Sequence, residues 1–139
     1  NAGSAMVELA AGRPVPAWTS QELQARFSSP VCLNGCLFGV TDPERPGTLV
    51  CLDAATGQLR WKQPGFEFGP LAVAGGFVLA VNGKTGEVVL VEPTPAGYHE
   101  LGRIQPQPKA AAWNNPVVAD GKLLIRTLKT LYCYDIAPN

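Results

Sequence analysis

Four cysteines are the first side chains whose spacing could do chemistry. They lie at positions 32, 36, 51 and 133, and the interval between Cys32 and Cys36 resembles that of a redox or metal-binding pair. Asn34-Gly35 between them, however, predicts a two-residue hairpin turn. In such a hairpin Cys32 faces Leu37 on the neighbouring strand, and the two sulfur atoms point to opposite faces. We therefore expect no disulfide between them.

The acid–base groups do not form a recognisable catalytic set. His99 is the single histidine, and its position in a predicted outer strand favours a solvated edge residue over a base or a metal ligand. Carboxylates recur near the ends of predicted strands, at Glu8, Asp53, Glu92 and Asp135. A paired acid–base role would require two of them to converge, whereas Asp53 is better explained as the cap of a turn. The sequence predicts no catalytic residue, no cofactor-binding residue and no metal ligand.

The remaining cysteines and the tryptophans are more typical of a core than of a reaction centre. Cys51 and Cys133 occupy the same position in two similar strands, and free cysteine is often a small buried residue. Trp18, Trp61 and Trp113 could stack on a ligand, but large aromatic rings between sheets usually serve packing. We expect all five side chains to be structural.

Composition excludes two classes of partner. The chain of 139 residues carries 11 Lys and Arg against 11 Asp and Glu, and no basic cluster could neutralise a run of phosphates. Nucleic acid is therefore not an expected partner. The longest apolar stretch, residues 71–81, is shorter than the ~20 residues that a membrane helix needs and contains a Gly-Gly pair. No membrane span is expected.

Glycine and proline divide the chain into short apolar runs. With 15 Gly and 13 Pro and no sustained helical period, the sequence predicts an all-β protein. The segment 19–27, TSQELQARF, is the one stretch with helical character, because Thr19 or Ser20 could cap it and Leu23 and Phe27 fall one turn apart. We expect at most a loop helix there.

An internal repeat organises the rest of the chain. Three segments begin with proline and reach glycine five residues later, at the pairs Pro30 and Gly35, Pro70 and Gly75, and Pro116 and Gly121. A second strand pattern follows each one and ends on an acid, and residues 8–18 align with residues 51–61. Short strands in units of ~40 to 45 residues with turn signals between them are the spacing of propeller blades.

One copy of the unit carries a specific motif. LVCLDAATGQLRW, residues 49–61, resembles the repeat of the pyrroloquinoline-quinone-like (PQQ-like) β-propeller family, with Asp53, Thr56, Gly57 and Trp61 matching and Cys51 in place of an alanine. The other copies are weaker. Residues 5–18 keep Gly12 and Trp18 without a Thr-Gly step, and residues 92–104 end on isoleucine instead of tryptophan. The resemblance implies that the tryptophan docks one blade against the next.

The number of repeats predicts an incomplete propeller of about three blades. We expect a single unit over residues 1–139, built from blade pieces at about 5–18, 30–62, 70–104 and 116–136. An open arc would leave apolar end faces in water. The chain is therefore expected to be a C-terminal piece of a larger propeller, or to associate with itself.

Two classes of function fit the resemblance. The first is a non-enzymatic scaffold whose loop faces bind a protein or a glycan. The second is a fragment of a quinone-dependent oxidoreductase whose cofactor residues lie outside this chain. Such oxidoreductases resemble this chain in fold but hold their quinone with adjacent cysteines, which this sequence lacks, and the scaffold without a cofactor is favoured. The family also implies a periplasmic or extracellular location.

Overall fold

A computed structural model describes residues 3–42 and 47–137 of the chain. Over these residues the chain forms thirteen strands in four antiparallel sheets, and no helix. The all-β prediction is confirmed. The described part of the chain contains no helix long and apolar enough to cross a bilayer.

Each sheet is built from one continuous stretch of chain. We call the first the N-terminal sheet and the others blades 1, 2 and 3. The N-terminal sheet has the strands β1 (Ser4–Ala10) and β2 (Arg13–Ser20). Blade 1 has β3 (Val31–Leu33), β4 (Cys36–Thr41), β5 (Thr48–Asp53) and β6 (Leu59–Pro64). Blade 2 has β7 (Leu71–Ala74), β8 (Phe77–Val81), β9 (Val88–Val91) and β10 (Glu100–Ile104). Blade 3 has β11 (Val117–Ala119), β12 (Lys122–Arg126) and β13 (Leu131–Asp135).

A two-residue turn with positive φ at both positions closes one hairpin in every sheet. The turn pairs are Ala11 and Gly12, Asn34 and Gly35, Gly75 and Gly76, and Asp120 and Gly121. Paired positive φ values are typical of the type I′ turn, whose twist matches that of the flanking strands. The first strand of blade 2, β7, has one residue more than β3, its counterpart in blade 1. The two-residue turn therefore begins one residue later after the proline, and Ala74 pairs with Phe77 as Leu33 pairs with Cys36. Gly76, rather than the predicted Gly75, therefore holds the position of Gly35.

The core consists of layers between successive sheets. Blades 1 and 2 bury Phe38, Val40 and Leu49 against Leu71, Val78 and other residues of blade 2. Blades 2 and 3 meet through Leu79 and Val81 on one side and Leu123 and Ile125 on the other. A smaller layer around Leu23, Val50 and Leu52 lies against Trp18. Burial between sheets, at about 25 cal/mol per Å² of apolar surface, is thus what joins the blades.

Two indole rings bind consecutive sheets together. Trp18 of the N-terminal sheet donates a hydrogen bond from Nε1 to the carbonyl oxygen of Ala54 in blade 1, at 3.0 Å. Trp61 of blade 1 donates in the same way to the carbonyl oxygen of Thr94 in blade 2, at 2.8 Å. Both acceptors lie in the turn that joins the two outer strands of the following sheet. The role that the resemblance implied for Trp18 and Trp61 agrees with this geometry.

In blade 2, the position on the outer strand that corresponds to Trp18 and Trp61 is a glycine, Gly102. The outer strand of each of the first three sheets has a register shift, after which Trp18 pairs with Met6, Trp61 with Cys51 and Gly102 with Leu90. Ile104, at which the sequence comparison had placed the missing tryptophan, lies two residues further along β10 and pairs with Val88. Blades 2 and 3 are therefore joined without an indole hydrogen bond from this position.

The predicted loop helix at 19–27 is wrong. β2 extends to Ser20, and residues 21–30 form an irregular connection. Leu23 is buried beside Val50 and Leu52 in the layer under Trp18, whereas Phe27 is 69% exposed. The two side chains go to different environments, so no single helix face could have served both. Tertiary burial of Leu23 overrides a weak local preference.

The hairpin register around the first two cysteines is the expected one. Cys32 pairs with Leu37 and is exposed, while Cys36 pairs with Leu33 and is buried. Cys51 is buried as predicted, and burial raises the pKa of its thiol to about 12. Cys133, predicted to be a core residue, is instead exposed. It lies on the face of blade 3 that no further sheet covers within the described part of the chain.

Gly57 should be much harder to replace than another glycine of similar backbone conformation. A Cβ atom at Gly57 (φ +71°) would lie 2.5 Å from the Trp18 ring, whereas one at Gly35 (φ +73°) would meet nothing within 4 Å. Gly35→Ala should cost about 1–2 kcal/mol for the left-handed conformation alone. Gly57→Ala should cost a further ~1–3 kcal/mol, because the indole must move.

Urea unfolding of both variants measures this difference. In a Trp18→Leu background the two glycine substitutions should become equally costly. Equal costs in the wild-type background would show that Trp18 does not constrain Gly57.

Candidate binding groove

Three connections between sheets cross the same end of the strands, and each carries an aromatic residue shortly before the proline that begins a blade. Phe27 precedes Pro30, Phe68 precedes Pro70, and Trp113 precedes Pro116. Each connection runs from the outer strand of one sheet to the inner strand of the next. Because the blades stack side by side, this repeated placement gathers the three aromatic side chains at one surface.

The aromatic side chains and one cation line an open groove. Arg26, Phe27, Phe68 and Trp113 surround a cavity of about 500 Å³. The rings of Phe27 and Phe68 meet edge to face, with centroids 5.8 Å apart and an interplanar angle of 66°. Phe27 is 69% exposed and Trp113 is 54% exposed. These two rings therefore expose apolar surface at the groove.

The floor beside Phe68 is held by a buried carboxylate. Asp42, at the end of β4, accepts a hydrogen bond from the backbone N–H of Phe68 at 3.2 Å. Burial raises the pKa of Asp42, while that hydrogen bond and the nearby Arg26 lower it. Asp42 also donates its backbone N–H to the carbonyl of Gln24 at 3.4 Å. Asp42 thus ties both connections to blade 1, the one that carries Phe68 through its carboxylate and the one that carries Phe27 through its backbone N–H.

The connection that carries Trp113 is fixed on both sides. Ala112 donates its N–H to the carbonyl of Gly83 in blade 2 at 3.0 Å, and Leu128 of blade 3 donates to the carbonyl of Ala111 at 2.9 Å. Ala112 itself is buried. A Cβ atom at Gly86 would approach the carbonyl oxygen of Ala110 to 2.6 Å, so glycine permits this close contact. Trp113 is therefore presented from a backbone with little freedom to move.

The groove is suited to binding rather than to acid–base chemistry. Its described lining has three aromatic rings and a guanidinium group, and the nearby Asp42 is already engaged by a backbone N–H. Aromatic rings supply large contact area, and an arginine beside them can receive a carboxylate. Elsewhere in the described chain no group of three or more His, Cys, Asp or Glu side chains is placed to hold a metal ion.

A smaller and more polar cavity of about 180 Å³ lies between blades 1 and 2 at their outer strands. Each of its charged groups has an ionic partner, since Arg103 pairs with both Glu100 and Glu87. Tyr98 donates its hydroxyl to Glu100 at 3.1 Å, and burial raises the pKa of Tyr98 to about 12. These contacts join the rim of blade 2 and leave little unsatisfied polarity for a ligand.

The predicted motif residues Asp53, Thr56 and Gly57 lie at the opposite end of the strands, at the turn between β5 and β6, while Trp61 lies within β6. Asp53 Oδ1 accepts hydrogen bonds from the N–H groups of Ala55 (3.1 Å) and Thr56 (2.9 Å) and from the Thr56 hydroxyl (2.9 Å). Asp53 Oδ2 accepts a hydrogen bond from Arg60 at 2.6 Å. The carboxylate therefore caps the turn, and Gly57 follows where the Trp18 ring lies. This set is a docking platform for Trp18.

His99 differs from its predicted surroundings. It is exposed and lies just before β10, not within it. Its Nδ1 atom is 3.0 Å from Glu92 Oε2 across the turn, so the side chain has a partner. The pair lies near the turn that accepts Trp61 and forms no part of the groove.

The groove was missed by reasoning from sequence. Trp113 was assigned to packing, and Phe27 to a helix face, because no chemical motif surrounds either residue. A usable signal was present in the repeat, since an aromatic residue stands two or three positions before each of the prolines at 30, 70 and 116. That regularity predicts aromatic side chains in each connection but not their convergence.

Repeated antiparallel sheets joined by buried layers and docked indoles are the architecture of stacked β-propeller blades. A family model described as outer membrane protein assembly factor BamB matches residues 5–92. The chain belongs to this family of PQQ-like repeat proteins, as the sequence resemblance predicted.

Two solved structures share the fold. BamB from Moraxella catarrhalis matches 87% of this chain and 37% of its own, with 18% identity and a TM-score of 0.62. A europium-containing methanol dehydrogenase matches 77% of this chain and 22% of its own, with 14% identity and a TM-score of 0.54. This chain thus spans well under half of either protein. A search of curated proteins found no match.

Asp53 should titrate far below an ordinary aspartate. Its hydrogen bond with Arg60, followed by that with Thr56, lowers the pKa of Asp53 to about 2, against ~3.9 in an unfolded chain. The stabilisation from this group is therefore complete above pH ~4 and is lost as the pH falls toward 2. Arg60→Gln should raise the pKa of Asp53, as followed by carboxyl-carbon NMR. Arg103→Gln, which removes an arginine paired elsewhere, should leave it unchanged; an equal response to both variants would contradict the assignment.

Proposed function

We propose that this chain is a non-enzymatic binding module of a PQQ-like propeller, and that the groove holds an apolar segment of a partner protein. The observation that carries the proposal is the convergence of Phe27, Phe68 and Trp113, each from a different connection, around one open cavity. Exposed aromatic rings grouped in this way are typical of binding sites, because they lose water-exposed apolar surface when a partner covers them.

The shape of the groove favours a protein segment over a glycan. The Phe27 and Phe68 rings contact each other edge to face, so together they form an angled wall of the groove and not a flat platform for a sugar ring. Arg26 is the one charged side chain among the described lining residues, whereas a glycan would require several polar groups for its hydroxyls. An apolar side chain in the groove, with a carboxylate near Arg26, satisfies both features.

Family membership supports a protein partner. The matched family is described as an outer membrane protein assembly factor, a role that involves other proteins, and by resemblance the module would act in the periplasm or outside the cell. The alternative, a fragment of a quinone-dependent oxidoreductase, is supported by a methanol dehydrogenase of only 14% identity. That likeness concerns the fold alone.

Peptides selected on the wild-type protein from a display library test the groove. They should carry an apolar residue near an acidic one, and Trp113→Ala or Phe27→Ala should weaken their binding at least tenfold, as measured by fluorescence titration. Leu101→Ala is the matched control, because Leu101 is also about half exposed but lies on β10, and it should change nothing. Peptides that bind all variants equally would contradict the proposal. So would a glycan array, if glycans and no peptides lost binding when Phe27 or Trp113 was replaced.

The two end faces of the stack also call for a partner, either copies of this chain or further blades of a longer propeller. On blade 3, Val117 and Leu131 are 53% and 62% exposed, and on the N-terminal sheet Leu9 is 79% exposed. The repeat equates Val117 with Val31 and Leu131 with Leu49, which in blade 1 pack against blade 2. These faces therefore have the character of interfaces between blades.

This chain on its own should associate in solution to cover these faces. Light scattering should give a mass above that of a single chain, and Leu131→Glu should lower it, because a charge would then be buried between sheets. Leu101→Glu, on the outer strand of blade 2, should leave the mass unchanged. A folded wild-type monomer at high concentration would contradict this.

A further inference from the structure

Phe68 has an unusual backbone conformation for an aromatic residue. Its φ is +53°, in the left-handed region. The other described non-glycine residues with positive φ all lie in two-residue hairpin turns, and they are Ala11, Asn34 and Asp120. A left-handed conformation costs free energy for a bulky residue, because the Cβ atom crowds a carbonyl oxygen. Strain of this kind persists only where the surrounding structure enforces it, and it is concentrated at functional sites.

The left-handed conformation accompanies an irregular spacing in the repeat. Phe68 stands two positions before the proline that begins its blade, whereas Phe27 and Trp113 stand three positions before theirs. The residues two positions before the other prolines, Ser28 and Asn114, do not have positive φ. The connection to blade 2 thus carries its aromatic residue one position late. The ring of Phe68 nevertheless lines the groove, with its centroid 5.8 Å from that of Phe27.

Two glycines, one from each neighbouring blade, allow close packing against the backbone at Phe68. A Cβ atom at Gly83, between β8 and β9, would lie 2.7 Å from the carbonyl oxygen of Phe68. A Cβ atom at Gly47, just before β5, would lie 2.6 Å from the Cα atom of Glu67. The backbone is therefore in contact on both sides, and it has little room to relax toward an ordinary conformation.

Side chains from the same two blades form hydrogen bonds with this connection. Asn82, directly after β8, donates from its side-chain amide to the carbonyl oxygen of Gly65 at 2.7 Å. Asp42, directly after β4, accepts the N–H of Phe68 at 3.2 Å. Asp42 is only 8% exposed, and a hydrogen bond shielded from water is electrostatically stronger than an exposed one. The carboxylate thus acts directly on the strained residue.

We propose that Phe68 is the fixed anchor of the groove and that Asp42 is its positioning residue. The carboxylate holds the N–H of Phe68, and with it the left-handed backbone that directs the ring into the groove. This inference rests on the proposed function, since the anchor is the surface on which an apolar side chain of the partner segment packs. A ring that is held in place before binding loses little conformational entropy when a partner covers it, so it binds more tightly than a mobile ring.

The probe is the fluorescent dye anilinonaphthalene sulfonate, whose fused rings match the aromatic lining and whose sulfonate can pair with Arg26. Asp42→Ala should weaken dye binding to the folded full chain by roughly fivefold or more, because the Phe68 ring then occupies its binding position only part of the time. Asp42→Asn keeps a side-chain carbonyl oxygen for the Phe68 N–H and should bind the dye nearly as the wild type does. In a Phe68→Ala background, Asp42→Ala should have no further effect, since Asp42 acts through Phe68. Equal weakening by Asp42→Ala in both backgrounds would show a general structural role and overturn the proposal.

Melting temperatures test the strained backbone without any ligand. Phe68→Gly and Phe68→Ala both remove the ring, but glycine adopts positive φ freely. Phe68→Gly should therefore melt about 3 °C or more above Phe68→Ala. The same two substitutions at Phe27, which does not have positive φ, should give the opposite order and serve as the control. Equal melting temperatures of the two Phe68 variants would overturn the proposal, even if Asp42→Ala does not fold.

Trp113→Ala separates this inference from the proposed function. Dye binding that is weakened by Trp113→Ala but not by Asp42→Ala would overturn the roles of Asp42 and Phe68 and would leave the groove as a binding site. Dye binding that survives Trp113→Ala, Phe27→Ala and Phe68→Ala would count against the groove itself, and against this inference with it.

Discussion

The structure depends on one contact between successive sheets, the indole of an outer strand against the turn of the next sheet. Trp18 donates to Ala54 and lies on Gly57, and Trp61 donates to Thr94 and packs against Phe38 and Tyr98. The contact combines a large buried aromatic surface with a directional hydrogen bond. Apolar layers alone would hold two sheets together but would let them slide. The two hydrogen bonds set the relative position of the first three sheets, and the connections that carry Phe27 and Phe68 depend on that position.

The two ends of the strands consequently differ in the contacts that they make. At one end the turns receive the indoles, and their polar groups, such as Asp53 with Thr56 and Arg60, are satisfied within the turn. At the other end the connections between sheets carry the aromatic side chains of the groove. The regular stacking of blades brings these connections together in space, although they are far apart in the sequence. The groove is thus a product of the repeat, although its residues belong to no repeat motif.

Much of the fold followed from local sequence patterns. Alternating apolar residues, two-residue turns and the Asp-x-x-Thr-Gly step predicted the strands and their pairing, because each depends on residues that are close in the chain. The errors arose where distant contacts decide. Leu23 was drawn into the core from a segment with helical character, and Cys133 is exposed because, among the described residues, no sheet follows the face on which it lies. The docking position in blade 2 was assigned to Ile104, but a register shift between Glu100 and Gly102 moves it to Gly102.

The sequence by itself determined the blade as a unit: its strands, its turns, its family and the tryptophans that end two of its outer strands. Each of these properties depends on interactions between residues that lie within some forty positions of one another in the chain. The tertiary structure decided where Phe27, Phe68 and Trp113 meet and which faces of the described sheets are covered. Such properties depend on how separate sheets stack, because the spacing of two residues in the sequence does not predict the distance between their side chains on different blades.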